Sequence, residues 1–212
     1  AGSTIALVGP TGSGKTTLTQ LLGRLHLPET GTIRINGRDI REWDPDVLRR
    51  RMALVMQDPF LFSGSIRDNI IPQGDDVPPE ILRNILSDAN CLDVVERLPQ
   101  GLDTPLTEGG ASLSSGERQL LSIARAFARR PDIIILDEAT SYIDSETESR
   151  IQEALQRLTT GRTTFLVAHR LSTVRQADHI LVLHHGKIIE AGNHADLMAR
   201  QSFYYRLQRL QG

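Results

Sequence analysis

Short apolar runs separated by longer amphipathic stretches dominate the hydrophobic pattern of the chain. Residues 4–8, 52–56, 133–136 and 163–167 are rich in β-branched and other large apolar side chains, with few charges. Runs of this kind predict strands that are covered on both faces, as in a parallel sheet. Leucines recur at helical spacing within residues 15–25 and predict a helix there. The pattern therefore predicts an α/β fold built on a parallel sheet.

Two segments interrupt this alternation. Asn36-Gly37 lies between two short β-like runs and predicts a small antiparallel hairpin. Residues 66–130 favour helices joined by polar connections. We therefore expect an α/β core formed by residues 1–66 and 131–212, with residues 67–130 inserted as an α-helical subdomain. The helices predicted in the insertion span residues 79–89, 92–98 and 117–129.

Composition limits the classes of protein to which the chain can belong. With 212 residues, 39% of them hydrophobic, it can bury a full core, and a net charge of −2 predicts no nucleic-acid partner. The sequence has neither an apolar run long enough to span a membrane nor a signal-peptide pattern, so we expect a cytosolic location. Its single cysteine, Cys91, and its single tryptophan, Trp43, are expected to be packing residues.

Residues 9–16, Gly-Pro-Thr-Gly-Ser-Gly-Lys-Thr, form the pattern of a phosphate-binding loop between a strand and a helix. Gly12 and Gly14 allow the backbone N–H groups to turn inward, and the helix N-terminus adds unpaired N–H groups. Lys15 can then reach the β- and γ-phosphates, and the Thr16 hydroxyl can bind Mg²⁺. The chain opens almost directly on this strand, which leads us to expect that it is a fragment of a longer protein.

Polar residues follow the other core strands. Gln57 ends the second, Asp137 and Glu138 end the third, and His169 follows the fourth. Gln57 alone could equally be a solvated strand end, but two adjacent carboxylates at the exit of a buried strand call for a metal or another cation nearby. We expect Lys15, Asp137, Glu138 and His169 to lie toward one edge of the sheet.

The ordered motifs resemble the nucleotide-binding domain of ATP-binding cassette (ABC) transporters over the whole chain. This resemblance implies a P-loop NTPase (RecA-like) core. Residues 62–70 and 107–110 look like those of exporters, and the latter segment lies where exporters have their X-loop. The matching motifs are Walker A at 9–16, the Q-loop at Gln57, the signature at 113–117, Walker B at 133–138, the D-loop at 141–144 and the H-loop at His169.

The resemblance implies an ATPase that uses ATP and Mg²⁺. Thr16 and Gln57 would ligate Mg²⁺, with Asp137 holding it directly or through water. Glu138 would be the general base or water-orienting group, and Lys15 and His169 would contact the γ-phosphate. The chain's own ATP would be bound by Gly9, Pro10, Thr11, Gly12, Ser13, Gly14, Lys15, Thr16, Thr17 and Gln57, whereas Ser114, Ser115, Gly116 and Glu117 would face the nucleotide of a partner domain.

The implied function is that of the motor domain of an exporter for multidrug or lipid-like substrates, on the cytoplasmic face of the cell (inner) membrane. Its partners would be a second nucleotide-binding domain, alike or unlike, and transmembrane domains received around Gln57, Phe60, Phe62 and the X-loop. The aromatic residue that stacks on adenine in the family belongs upstream of residue 1. We therefore expect the chain alone to bind nucleotide more weakly.

Departures from the family pattern concern the signature and the D-loop. Ser115 replaces the usual glycine, at some expected cost in backbone freedom, and Glu117 replaces the usual glutamine. A carboxylate suits a helix N-terminus but repels a triphosphate. Tyr142 and Ile143 also differ from the usual D-loop residues, a variation that resembles one half of heterodimeric multidrug-type exporters.

Two other functions share parts of this motif pattern. ABC ATPases of DNA maintenance and repair also carry glutamate at the end of the signature, but a long coiled coil separates their motifs, and this chain has no sustained heptads. A nucleotide-gated module that does not hydrolyse ATP would tolerate the loss of Glu138 and His169, and both residues are present.

Overall fold

The computed structural model describes residues 1–56, 58–71, 75–137, 143–167 and 171–211. The strands are β1 (Thr4–Val8), β2 (Arg34–Ile35), β3 (Arg38–Asp39), β4 (Met52–Val55), β5 (Gly64–Ser65), β6 (Pro105–Leu106), β7 (Ile133–Asp137), β8 (Thr163–Val167), β9 (His179–His184) and β10 (Lys187–Gly192). The helices are α1 (Lys15–Leu22), α2 (Pro45–Arg50), α3 (Ile66–Ile70), α4 (Pro79–Asp88), α5 (Leu92–Glu96), α6 (Ser115–Ala128), α7 (Ser145–Thr159), α8 (Leu171–Arg175), α9 (His194–Ala199) and α10 (Phe203–Gln211). Short 3-10 helices lie at Ile40–Glu42, Gly101–Asp103 and Glu108–Gly110.

The chain forms two compact units. The first contains Ala1–Ala53, Asp132–Ala139 and Gly161–Gly212, and the second contains Leu54–Pro131 and Thr140–Thr160. The chain passes from the first to the second within β4. The subdomain boundaries predicted from the sequence stay a prediction.

A six-stranded sheet with the order β10-β9-β1-β8-β7-β4 organises the first unit. β1 pairs in parallel with β8 and β9, and β8 pairs in parallel with β7, whereas β10 runs antiparallel to β9. Val167 of β8 is in register with Leu7 on one side and Asp137 on the other. The carboxyl ends of β1, β7 and β8 therefore lie at one edge, and the predicted α/β fold with a mainly parallel sheet is confirmed.

The apolar runs form the core of this unit. Leu7, Val167 and Leu183 pack together from three neighbouring strands, with Leu18 of α1 against them. A second cluster joins Ile40, Leu48, Met52 and Ile135. Trp43 packs on this second cluster, which confirms its predicted role in packing.

The small hairpin β2–β3 forms where it was predicted. Asn36 and Gly37 have φ angles of 51° and 80°, and positive φ at both central residues gives the turn the twist that suits a two-residue hairpin. The helix predicted for residues 15–25 is three residues shorter at its end, since α1 stops at Leu22. Arg24 has a φ of 52°, which breaks the helix, and Leu25 is 58% exposed.

Helices make up most of the second unit. α6 packs against α3, α4 and α7 and buries Leu120, Leu121, Ile123 and Ala124. Cys91 is fully buried before α5, and burial raises the pKa of its thiol to about 12, so the thiol is unsuited to act as a nucleophile. No helix within the described ranges is long and apolar enough to cross a membrane.

Candidate functional site

The loop between β1 and α1 is shaped by close backbone approaches. A Cβ atom at Gly9 would lie 2.2 Å from the carbonyl oxygen of Leu183, so no side chain fits there. Gly14 precedes α1 with a φ of 103°, a left-handed conformation that favours glycine. These two glycines allow the chain to turn sharply from the strand into the helix.

The turn between β9 and β10 supports this loop. The Gly186 N–H donates to the Ser13 carbonyl (3.0 Å), and the Ser13 N–H donates to the Pro10 carbonyl (3.1 Å). The Ser13 hydroxyl is buried and has no hydrogen-bond partner among the residues that the structure describes. A buried hydroxyl of this kind is suited to a bound polar group.

Lys15 is the buried cation of the loop. Its ammonium donates to the carbonyls of Gly9 (2.7 Å) and Pro10 (3.0 Å), which hold its charged end at the carboxyl end of β1. Burial lowers the pKa of Lys15, and the negative charge of Asp137 opposes this shift. The cation expected near the strand-end carboxylate is therefore present in the protein itself.

The remaining loop positions face outward. Pro10, Thr11, Gly12, Thr16 and Thr17 are exposed, whereas Ser13 and Lys15 are buried. The first N–H groups of α1, the ammonium of Lys15 and the positive end of the helix dipole together make a site suited to a phosphate group.

Several predicted site residues lie outside the described residues. These are Gln57, Glu138, His169, Ser141 and Tyr142. The last D-loop residue, Asp144, is described and caps α7 by accepting from the Thr147 N–H (2.9 Å). The hydrogen bonds of Thr147 lower the pKa of the Asp144 carboxyl.

Residues 113–117 begin α6 with a reciprocal cap. The Ser114 hydroxyl accepts from the Glu117 N–H (3.2 Å), and the Glu117 carboxylate accepts from the Ser114 N–H (2.8 Å). Ser115 is the first residue of the helix and its φ is not positive. The expected cost in backbone freedom at Ser115 is therefore wrong, because a helical position does not need glycine.

Gly116 lies where α6 and the start of α7 approach each other. A Cβ atom at Gly116 would lie 2.2 Å from Cγ2 of Thr147 and 3.4 Å from Cγ2 of Ile143. Packing within the second unit thus explains why residue 116 is a glycine.

Replacing Gly116 by alanine is expected to lower the free energy of unfolding by about 1–3 kcal/mol, because the added methyl overpacks the contact with Thr147. Urea unfolding measures the change. Thr147→Ser removes Cγ2 and keeps the hydroxyl, so the double variant should recover most of the loss, with Thr147→Ser alone as control. Equal stability of the single and double variants would contradict this account.

The two exporter-like segments meet in the second unit. The Gly109 N–H donates to the Leu61 carbonyl (2.8 Å), and β5 pairs with β6 in an antiparallel ladder. Phe60 and Phe62 are 46% and 61% exposed, and their rings lie edge to face with centroids 5.1 Å apart. Phe60 and Phe62 thus form an exposed aromatic surface on either side of Leu61, whose carbonyl binds Gly109.

Two polar residues that the sequence analysis missed, the buried Asn69 and the half-buried Arg125, hold this surface. Asn69 bonds the Phe62 N–H (2.8 Å) and the Phe62 carbonyl (2.9 Å) with its amide. Arg125 donates to the Asn69 carbonyl (2.6 Å) and to the Phe60 carbonyl (3.1 Å) and lies over the Phe62 ring. Nothing in their spacing marks them, since an arginine on an amphipathic helix is usually a solvated residue.

Comparisons with known proteins agree with this geometry. The model of the ABC transporter family matches residues 1–141. The chain is 48% identical over 210 residues to the probable multidrug resistance ABC transporter ATP-binding/permease protein YheH of Bacillus subtilis, covering 99% of the chain and 31% of that protein. It is 47% identical over 208 residues to a fatty acid ABC transporter ATP-binding/permease protein of Mycobacterium tuberculosis, covering 98% of the chain and 33% of that protein.

A solved structure of a bacterial Atm1-family ABC exporter with ATP bound superposes with a TM-score of 0.90 at 40% identity, covering 100% of the chain and 37% of that protein. The chain thus spans about a third of the length of these proteins. The matched residues include the phosphate loop, Lys15 and Asp137, and the fold agrees along the whole chain. The chain therefore belongs to the ABC transporter family, as a nucleotide-binding ATPase domain.

Proposed function

We propose that the chain is the motor domain of an ABC exporter, in which ATP binding and hydrolysis drive transport of a multidrug or lipid-like substrate. The names of the relatives support this proposal, since they include a multidrug resistance transporter and a fatty acid transporter. The observation that carries it is the buried ammonium of Lys15 at the phosphate loop, near the carboxylate of Asp137.

ATP would bind with its phosphates against the N-terminus of α1. Lys15 has three N–H groups, of which two are bonded to the loop carbonyls, so one is available to a phosphate oxygen. Gly9, Pro10, Thr11, Gly12, Ser13, Gly14, Thr16 and Thr17 would line the site.

Mg²⁺ fits the oxygen donors of this edge. It usually keeps several waters and takes one or two protein ligands beside phosphate oxygens. The exposed hydroxyl of Thr16 and the half-buried carboxylate of Asp137 are such ligands, and no larger group of metal-binding side chains exists among the described residues. With Gln57 as a further ligand, the ion would neutralise phosphate charge.

Hydrolysis requires a positioned water and little covalent chemistry from the protein. Glu138 would orient that water or accept its proton, and His169 would contact the γ-phosphate. Both assignments rest on the family resemblance.

The signature would act on the nucleotide of a partner domain. The Ser114 hydroxyl accepts from the Glu117 N–H and so keeps its own proton for donation to a phosphate oxygen. With Ser115, Gly116 and Glu117 it would present the N-terminus of α6 to that nucleotide, so that two domains enclose ATP between them.

The aromatic surface of Phe60 and Phe62, together with Gln57 and the X-loop, would receive the transmembrane domains. A cavity of about 720 Å³ adjoins Phe62, and its charged lining residues are Arg67, Asp68, Asp75, Arg125 and Arg129. The domain would then lie at the cytoplasmic face of the membrane. The relatives compared above are named as transporters, which favours this function over DNA maintenance.

Solution mass tests the enclosed-nucleotide state. The chain with Mg²⁺ and a slowly hydrolysed ATP analogue is expected to double its mass in sedimentation, whereas the chain with Mg²⁺ and ADP stays monomeric. Nucleotide binding without doubling would contradict pairing of identical chains and point to an unlike partner or a missing upstream segment. Failure to bind either nucleotide would overturn the proposed function.

A further inference from the structure

Glu117 divides its two carboxylate oxygens between two partners. Oε2 accepts from the Ser114 N–H at 2.8 Å and closes the cap of α6. Oε1 forms an ion pair with Nη2 of Arg97. The Glu117 side chain is only 19% exposed, whereas Arg97 is 56% exposed. One carboxylate thus serves both the helix cap and a charge pair.

An unpaired carboxylate at this position would conflict with phosphate binding. In the proposed function the N-terminus of α6 faces the phosphates of a partner's ATP. A fixed negative charge within a few ångströms would repel those phosphates, while a neutral glutamine could make the same cap without the repulsion.

Arg97 is placed to remove this conflict. It directly follows α5 and reaches Glu117 from outside α6. The neighbouring Glu96 is paired with Arg83, so it does not compete for Arg97 in this arrangement. The Arg97–Glu117 pair presents no net charge at the start of α6.

We propose that Arg97 is a positioning residue that neutralises Glu117 and so allows the signature of this chain to accept the triphosphate of a partner's nucleotide. This inference rests on the proposed function. Without Arg97 the cap stays closed, because the bond from Ser114 to Glu117 does not involve the arginine. Loss of Arg97 is therefore expected to weaken the binding of ATP between the two domains and to leave the helix cap intact.

The alternative is an ordinary surface ion pair, which contributes little to stability and nothing to nucleotide use. The two accounts differ in what happens when Glu117 is made neutral. If Arg97 acts by cancelling a charge, it becomes dispensable once that charge is gone.

The test compares Arg97→Ala, Glu117→Gln and the double variant, with Arg49→Ala as a matched control from the exposed ion pair of Arg49 and Asp46. ATP hydrolysis is measured against ATP concentration at low and at high ionic strength. It is measured on the chain alone, or on its complex with an unlike partner if the mass measurement shows that it needs one. Urea unfolding is recorded for every variant.

Arg97→Ala is expected to raise the apparent KM for ATP about fivefold at low ionic strength, and salt should shrink the difference by screening the exposed charge. The double variant should match Glu117→Gln, because the charge that Arg97 cancels is absent from both, and Arg97→Ala and Arg49→Ala should unfold at similar urea concentrations. An unchanged KM in Arg97→Ala would overturn the inference. So would a rise in KM from Glu117→Gln to the double variant as large as the rise from wild type to Arg97→Ala. If the wild-type protein does not hydrolyse ATP, or if Lys15→Ala hydrolyses it equally well, the proposed function is overturned, and this inference with it.

Discussion

Replacing Lys15 by alanine is expected to lower the rate of ATP hydrolysis by at least about a hundredfold, the scale seen when a fixed electrostatic donor is removed from a reaction site. The ammonium is held by the carbonyls of Gly9 and Pro10, so its charge sits at the loop before any nucleotide arrives. Alanine leaves those carbonyls and Asp137 without their cation. Both the binding of the phosphates and the stabilisation of charge during their transfer should suffer.

Phosphate release and equilibrium binding of a fluorescent ATP analogue measure the two effects. The matched control is Lys187→Ala, since Lys187 is the other lysine of the chain and is exposed on β10. Lys187→Ala should hydrolyse ATP at the wild-type rate. Equal rates of ATP hydrolysis by the two variants would show that Lys15 does not take part in the reaction.

Replacing Glu138 by glutamine is expected to stop turnover while ATP binding persists. The change keeps the size of the side chain and removes the group that would accept a proton from the attacking water, an effect of about 10²–10⁴-fold in general base catalysis. Because bound ATP is no longer converted to ADP, Mg²⁺-ATP itself should hold two domains together in this variant.

Turnover, ATP binding and solution mass are measured on the same preparation, with the exposed Glu29→Gln as the control for loss of a carboxylate. The control should behave as wild type in all three. Undiminished hydrolysis by Glu138→Gln would show that the reaction proceeds without this carboxylate.

The parts of the fold that could be predicted are those whose cause is local. The strand before Gly9, the turn at Asn36-Gly37 and the buried strand ending at Asp137 each follow from a pattern within a few residues. α7 was not predicted, although Ile151, Ala154 and Leu158 are buried along one face. The sequence of α7 is mostly polar and so gives a weak helical pattern. Asp144 is also interpreted as a D-loop residue, whereas in the structure it is the N-cap of this helix.

Contacts between distant segments could not be predicted in this way. The carbonyl of Leu183 beside Gly9, the amide of Asn69 behind Phe62 and the guanidinium of Arg97 on Glu117 depend on which elements become neighbours. The periodicity of apolar residues along the chain does not determine which elements become neighbours. For the proposed phosphate site, the sequence predicts which side chains and glycines form the loop but not the backbone contacts that support them.

The position of β1 bears on the order of events during synthesis. β1 precedes its neighbours in the sheet, β8 and β9, by more than 150 residues, and the turn that supports the phosphate loop at Gly186 follows β9. Such distant pairings are slow to form because a long loop must close before any contact is gained. A nascent chain that has been synthesised only to its middle therefore lacks the contacts from Leu183 and Gly186 that support Gly9 to Thr16. A nucleotide that binds at the phosphate loop is therefore expected to assist folding only after β9 and its turn have emerged.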